Sequence, residues 1–487
     1  MEPVTSQPGT TQLQEAYRLR TDADLVTDED GTLHLQQSRF RLPLVRLGIG
    51  ARALMLRLAE HWVSDLEVHR LVTALEGEQR TLAAQVLIRR LLAHSWLSRR
   101  LYVPDRPILD IIPQGLGTDS KATPVRHTSG EAYRMSRFAT LAAVDGAIQA
   151  STPLGRTVLV CRDRRLASVV ATAAGDDGVD VTSAAGQLGL DWAAAGRILD
   201  EMLTARVLAG TADHAAESTA APLVYWAPEE LRLHDRSRPG RHALPVGGTY
   251  RLRGRLPPEP LAQRFPTART VALPVPDLKL IAKTERSLAE IVETRRTIRQ
   301  HHPVTALTRE QLAEFLYRVQ RTTAAGTVGG QEVGRRPYPG GGGIHELEIY
   351  PLVHHCAGID PGLYHYDAAE HRLEAVAAGG AITDRVLNYA RAAAAMTQPP
   401  QVLFVITARV QRLMWKYEGM SYAMTLKNAG VLTGLMYLVA TAMRLAPCAL
   451  GAGDSAAFAQ MSGLDPLVEP NVADFALGVP ADEPVGE

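Results

Sequence analysis

Arg412 to Asp454 reads RLMWKYEGMSYAMTLKNAGVLTGLMYLVATAMRLAPCALGAGD and holds an adjacent Lys416-Tyr417 pair, a long apolar run and a glycine-bearing turn. The apolar positions Met424, Ala429, Val431, Leu432, Leu435, Met436, Leu438, Val439 and Met443 cover nearly the whole circumference of a helix, which predicts a buried element. An ammonium beside a phenol favours the phenolate form, so a pair set against such a core is a candidate for proton chemistry. The same two residues would also suit a surface position at a strand end, and both readings stay open on this stretch alone.

Two further stretches belong with it. Ser287 to Arg299, SLAEIVETRRTIR, places Leu288, Ile291 and Val292 at helical spacing and runs into Arg295, Arg296, Thr297 and Arg299. Guanidiniums bind phosphate through paired donors and the threonine hydroxyl adds another, although cations are also favoured at any helix C-terminus. Arg335-Arg336-Pro337-Tyr338-Pro339 is followed by Gly340, Gly341, Gly342 and Gly343 and then by IHELEIYPLV. Glycines in a row let a flat or anionic ligand meet bare amides. The flanking prolines and the alternation of Ile344, Leu347 and Ile349 argue for an anchored turn rather than a flexible loop.

Together these stretches resemble the FMN-dependent nitroreductase superfamily and, within it, the SagB-type (ThcOx/McbC-like) azoline dehydrogenases of peptide natural-product biosynthesis, over residues 280–482. Arg295, Arg296, Thr297 and Arg299 match the R-R-[ST]-x-R segment on FMN. Pro339 and Gly340 to Gly343 match the loop on the flavin, with Gly340 where serine is frequent. Leu450, Gly451, Ala452 and Gly453 match the turn beside the isoalloxazine edge, Ala452 replacing a second glycine. Asn428 stands where many relatives have Asp. The Lys416-Tyr417 pair matches the feature that separates azoline dehydrogenases from ordinary nitroreductases. The phrase GGIHELEIYPLV is similar to enzymes of thiopeptide-type pathways.

A chain of 487 residues is too long for one core. Lysine plus arginine equals aspartate plus glutamate at 52 each, which argues against nucleic acid as the main partner. Cys161, Cys356 and Cys448 are far apart and odd in number, suiting a reducing cytoplasm and forming neither a disulfide frame nor a Cys-x-x-Cys metal site. No apolar run reads as transmembrane and the N-terminus lacks an apolar signal core, so a soluble cytoplasmic protein without membrane attachment is expected. The adjacent pairs His301-His302 and His354-His355 point to opposite faces of a strand and make no ready chelate, so no metal is expected; His345 reads as a hydrogen-bonded strand residue.

The expected class is α+β. Residues 1–30 read as a flexible N-terminus, 31–125 and 126–230 as two winged-helix-like units, 231–280 as an extended linker, and 281–487 as a nitroreductase-like FMN domain with an antiparallel-rich sheet packed by helices. Arg89, Arg90, Arg99 and Arg100 cluster near the third helix of the first unit, but the charge balance favours a peptide partner over DNA. The linker phrases HDRSRPGRH and GGTYR also resemble the SagB type.

The resemblance implies oxidation of a thiazoline or oxazoline in a ribosomally made peptide, with Tyr417 as base, Lys416 assisting or exchanging the proton itself, FMN as cofactor and oxygen as final acceptor. It also implies a homodimer with the flavin at the subunit interface, a modified precursor peptide of leader plus azoline core as partner, strand addition of the leader to the N-terminal units, and a cyclodehydratase complex. Two other classes remain: an NAD(P)H-dependent nitro or flavin reductase, which needs no Lys-Tyr pair, and a non-catalytic leader-binding scaffold, which needs no flavin.

Overall fold

A computed structural model describes residues 12–37, 40–104, 106–115, 124–263, 265 and 269–481. Residues 1–11 of the expected N-terminal segment and 482–487 of the FMN domain lie outside them. The chain divides into two compact units, Met1–Leu244 and Pro245–Glu487.

In the first unit, β1 (Gln14–Leu19) is followed by a three-stranded sheet of β2 (Asp24–Thr27), β3 (Leu33–Gln37) and β4 (Phe40–Leu44). Then come α1 (Ile49–Glu60), β5 (Val63–Ser64), α2 (Asp65–Glu76), α3 (Thr81–Ala93), β6 (Leu97–Val103) and β7 (Arg106–Pro113). Ser64 and Glu67 close a reciprocal capping box at the start of α2. Leu54, Leu58, Val68, Val72, Ile88 and Trp96 form the core of this half.

The second half holds β8 (Tyr133–Met135), β9 (Thr140–Val144), β10 (Ala147–Ser151), β11 (Thr157–Cys161), α4 (Arg164–Ala173), α5 (Val181–Leu188), α6 (Trp192–Thr204), β12 (Leu208–Gly210), α7 (Thr211–Thr219) and α8 (Pro228–Arg236). Asp163, Asp180 and Asp191 cap α4, α5 and α6 through backbone N–H groups, and Leu166, Val170, Leu188, Ile198 and Leu203 fill a separate core. One antiparallel sheet, ordered β5-β1-β6-β7-β11-β10-β9, runs through both halves.

Two segments differ from the sequence expectation. The polar text before residue 30 contains β1, because Tyr17 and Leu19 are buried and Arg20 spends its charge inside, donating to the carbonyls of Ser95 (3.0 Å) and Gly115 (2.6 Å). The start of the expected extended linker is helical: α8 has Pro228 in its first turn with Glu229 and Glu230, and His234 and Arg236 in its last, a charge order that favours a helix. Arg99 bonds Glu15 and Glu201, and Arg100 bonds Asp110, so these guanidiniums are held by carboxylates within the fold.

The second unit comprises β13 (Thr270–Ala272), α9 (Leu278–Thr284), α10 (Leu288–Thr294), β14 (Leu307–Thr308), α11 (Arg309–Gln320), β15 (Ala324–Val328), β16 (Gln331–Arg335), β17 (Leu347–Val353), β18 (Cys356–Ala357), β19 (Gly362–Asp367), β20 (Arg372–Ala378) and α12 (Ala381–Ala393). It continues through β21 (Val402–Ala408), α13 (Val410–Lys416), α14 (Ser421–Ala442), β22 (Ala446–Leu450), α15 (Ser455–Ser462) and β23 (Asn471–Gly478). The antiparallel order β13-β20-β19-β17-β21-β23-β22 makes a seven-stranded sheet covered on both faces. Along β21, Val402, Phe404 and Ile406 pack toward α11 and α14, while Leu403 and Val405 pack toward α12 and α15. Burial on both faces makes this strand read as one apolar run.

α14 departs from the expected all-round burial. Ser421, Thr425, Asn428, Ala429, Leu432, Met436, Val439 and Ala440 form its buried face. On the other side Tyr422, Leu426 and Val431 are 39%, 40% and 42% exposed. By length and composition α14 is apolar enough to cross a bilayer, but its inner face packs into the core of this unit with Phe315, Phe404 and Phe475.

Candidate functional site

The glycine loop is held from below. Arg336, buried ahead of it, donates to the Leu347 carbonyl at 2.6 Å, and buried Tyr338 meets the His345 ring edge to face at 5.3 Å. Gly342 and Gly343 take φ of +64° and +69°, a region that costs other residues strain. A Cβ built on Gly341 would strike the Met424 sulfur; one on Gly342 would run into the Tyr417 hydroxyl and stand 2.8 Å from Lys416 Nζ. A Cβ on Gly340 would stand 3.0 Å from His345 Nδ1. Burial, and then the neighbouring Arg336 charge, push the His345 imidazole down to about 4, so it is neutral.

Lys416 ends α13 and Tyr417 caps it, its N–H donating to the Leu413 carbonyl at 2.9 Å. Fully buried Arg412 sets this helix against the loop by donating to the carbonyls of Ile344 (2.7 Å), Glu332 (2.9 Å) and Glu259 (2.6 Å). Burial, and then repulsion from Arg409, lower its pKa to about 10. The Ser421 hydroxyl then donates to the Tyr417 carbonyl at 2.7 Å, fixing where α14 starts.

Tyr250, within the GGTYR phrase, is a further member that was not singled out from the sequence. Gly247 and Glu418 exchange backbone hydrogen bonds, and the Tyr250 N–H donates to the Lys416 carbonyl at 3.1 Å. Lys416 Nζ lies 5.9 Å from the Tyr250 ring centroid and 5.1 Å from that of Tyr417. An aromatic followed by arginine is too common a phrase to signal this packing; only the pairing of 247–250 with 416–418 does.

The basic segment belongs to a second group. After α10, residues 295–299 run extended, with Ile298 N–H donating to the Pro447 carbonyl at 2.9 Å and the Thr297 hydroxyl 3.1 Å from Tyr437 Oη. The Arg295 guanidinium lies 5.4 Å from the Tyr437 ring centroid, and Tyr437 Oη accepts from Ala449 N–H at 2.9 Å. Arg295, Arg296 and Arg299 are exposed. β22 leads directly into the Leu450 to Gly453 turn, where Gly451 and Ala452 are exposed and a Cβ on Gly453 would collide with the Asp474 carboxylate. Burial pushes Asp474 up to about 6, and its Oδ2 has no hydrogen-bond partner among the described residues.

Of the residues singled out from the sequence, Lys416, Tyr417 and Gly340 to Gly343 thus meet at the N-terminal end of α14, with Pro339 exposed at the loop entry. Arg295 and Thr297 meet Tyr437 in the C-terminal half of that helix, where Ala449, just ahead of the Leu450 to Gly453 turn, bonds the same residue. Met424 and Tyr437 mark the two groups, about 20 Å apart along the helix at ~1.5 Å per residue. Asn428 donates to buried Glu346 at 2.8 Å, a bond an ionised aspartate in its place would not make.

Beneath the loop lies a buried ionic group. His365 is placed between Glu374 (3.0 Å) and Glu348 (3.5 Å), and Arg409 and Arg336 stand 3.6 and 3.9 Å from Glu348. Burial alone would lower His365, but the two carboxylates outweigh it and hold the imidazolium up to about 9.

Residues 292–478 match the nitroreductase family model, which makes the second unit a nitroreductase-family domain. Residues 133–243 match the cyanobactin oxidase ThcOx model. The pairing of these two matches supports placing the chain with the SagB-type proteins of the nitroreductase superfamily. The trifolitoxin-processing protein TfxB of Rhizobium leguminosarum bv. trifolii is 32% identical over 90 residues, 17% of this chain and 23% of that protein, so the chain spans under a quarter of that curated relative.

Among solved structures, a putative nitroreductase of Ralstonia eutropha JMP134 is 19% identical, covering 49% of this chain and 100% of that one, with TM-score 0.34. A chain of the E. coli microcin synthetase McbBCD complex with truncated pro-MccB17 is 19% identical, covering 53% and 96%, with TM-score 0.34. A putative nitroreductase in complex with FMN from Desulfovibrio desulfuricans is 16% identical, covering 42% and 92%, with TM-score 0.28.

Proposed function

We propose that this chain is an FMN-dependent azoline dehydrogenase that oxidises thiazoline or oxazoline rings to thiazoles or oxazoles in a ribosomally made, modified peptide, with electrons passing on to O2. The observation that carries this reading is the meeting of Gly342 with both the Tyr417 hydroxyl and Lys416 Nζ: a pair suited to proton handling stands directly against the bare backbone of the glycine loop. The residues present fit FMN. Gly340 to Gly343 present backbone without side chains beside Tyr417 and Lys416, and the exposed Arg295, Arg296 and Arg299 with the Thr297 hydroxyl offer donors for its phosphate. Pro339, Gly340, Gly343, Leu450, Gly451 and Ala452 complete the lining.

FMN, when bound, supplies the two-electron acceptor that protein side chains lack. The Lys416 ammonium favours the phenolate form of Tyr417, whose Oη takes the proton from the ring carbon and so becomes the neutral phenol. Tyr250 and the cap at Tyr417 hold the two side chains in place, so orientation is set before substrate arrives.

The reading includes a homodimer. The two groups lie toward opposite ends of α14, and the exposed Tyr422, Leu426 and Val431 leave apolar surface on that helix that a second copy would cover. Gly430 and Gly434 on the same side meet no other atoms and would permit close approach. The N-terminal unit is read as winged-helix-like and leader-binding, the partners as a precursor peptide and a cyclodehydratase, and the location as cytoplasmic. The test is the anaerobic visible spectrum of the purified protein before and after an azoline peptide with its leader. Bleaching by the peptide that is lost in Lys416→Ala and in Tyr417→Phe supports the reading; bleaching by NAD(P)H alone moves it to a reductase, and absence of flavin after FMN supplementation removes both.

A further inference from the structure

A groove of about 500 Å³ opens beside the Lys-Tyr pair, within the size range of ligand sites. One wall is the turn Arg253 to Pro258; the other is Gly329-Gly330, the tip of the β15–β16 hairpin; Trp415, buried next to Lys416, forms the floor. Arg253 ties the walls together by donating to the Gly329 carbonyl at 2.8 Å and stacks 4.3 Å from the Tyr250 ring centroid, the same ring that faces Lys416 Nζ. Tyr250 therefore links the groove wall to Lys416. The indole N–H of Trp415 is satisfied by the Leu256 carbonyl at 2.8 Å, leaving its apolar surface to the groove.

The charge is one-sided. Residues 245–258 contain Arg251, Arg253 and Arg255 and no acidic residue. The nearby carboxylates are engaged elsewhere: Glu332 accepts from Leu261 N–H (2.7 Å), Glu418 from the Thr249 hydroxyl (3.0 Å), and Glu259 pairs with Arg409 (3.5 Å). Exposed Arg255 has no carboxylate partner among the described residues. A groove that keeps a free guanidinium over an apolar floor suits a chain with carboxylates on an otherwise apolar backbone.

We propose that this groove binds an acidic segment of the substrate peptide flanking the ring to be oxidised, with Arg255 as its specificity-determining contact; this rests on the azoline dehydrogenase reading. The test uses the full chain and a fluorescein-labelled synthetic peptide carrying an Asp-Glu-Asp run beside an azoline, with an Asn-Gln-Asn version as control. Anisotropy should show the acidic peptide binding more tightly than the control, the preference shrinking with salt, and Arg255→Glu weakening the acidic peptide about fivefold while sparing the control. Arg255→Gln, which removes the charge without reversing it, should give a smaller loss in the same direction. Equal binding of both peptides, or unchanged affinity in Arg255→Glu, overturns the groove. Turnover separates the two ideas. Arg255-dependent binding with no flavin bleaching removes the dehydrogenase reading alone, whereas bleaching whose KM ignores Arg255 removes the groove alone.

Discussion

Replacing Gly342 with alanine tests the juxtaposition on which the functional reading stands. Gly342 and Gly343 have nearly the same positive φ, +64° and +69°, so alanine at either position should cost about 1 kcal/mol of backbone strain. Their surroundings differ. The new Cβ at Gly343 would meet its nearest atoms at 3.4 and 3.6 Å, ordinary contact, whereas at Gly342 it would meet the Tyr417 hydroxyl and Lys416 Nζ. Those are the free ends of side chains, so the clash is relieved by their swinging aside, and the stability of the two variants should be alike. The two atoms proposed to act on the proton, however, move by on the order of 1 Å, which can cost about 10²-fold in rate. Urea unfolding should therefore place Gly342→Ala and Gly343→Ala within a few tenths of a kcal/mol of each other. Anaerobic flavin bleaching by an azoline peptide should be about 10²-fold slower in Gly342→Ala than in Gly343→Ala. Equal rates in the two variants would refute the placement of the pair against Gly342.

Two further expectations concern the second unit. Because the folded pKa of His365 is raised to about 9 from 6.5, its charged form contributes stability that is complete below about 6.5 and lost as pH rises through 9; urea midpoints from pH 6 to 10 should fall in the wild type and flatten over that window in His365→Gln. Leu426→Glu puts a charge on the uncovered stripe of α14, and sedimentation should shift the protein to monomer with loss of bound flavin; an unchanged dimer would separate that helix from the interface.

The phrases proposed to carry the chemistry could be singled out because they are local. A run of glycines between prolines, three guanidiniums around a threonine, and adjacent lysine and tyrosine announce themselves by residue type. So did the elements of the second unit, whose sheet and helices follow the alternation and spacing of apolar residues. What failed locally failed for a tertiary reason. β1 was hidden by Arg20, which counts as polar in the text but is a buried clamp on two carbonyls. α14 looked buried all round because its composition does not distinguish a core face from an exposed one. Tyr250 carried no signal, since its role comes from pairing with residues far along the chain.

The sequence by itself determined the domain class, the bare backbone of the glycine loop and the identity of the Lys416-Tyr417 pair, because conformational freedom and proton affinity belong to residue types. Tertiary structure alone decided that the loop and the pair meet while the basic segment stands at the other end of α14. The physical agent is Arg412, whose guanidinium joins α13 to Ile344 across 68 residues of sequence. Such a bond depends on where two packed elements leave a buried carbonyl, which no local pattern of residues records.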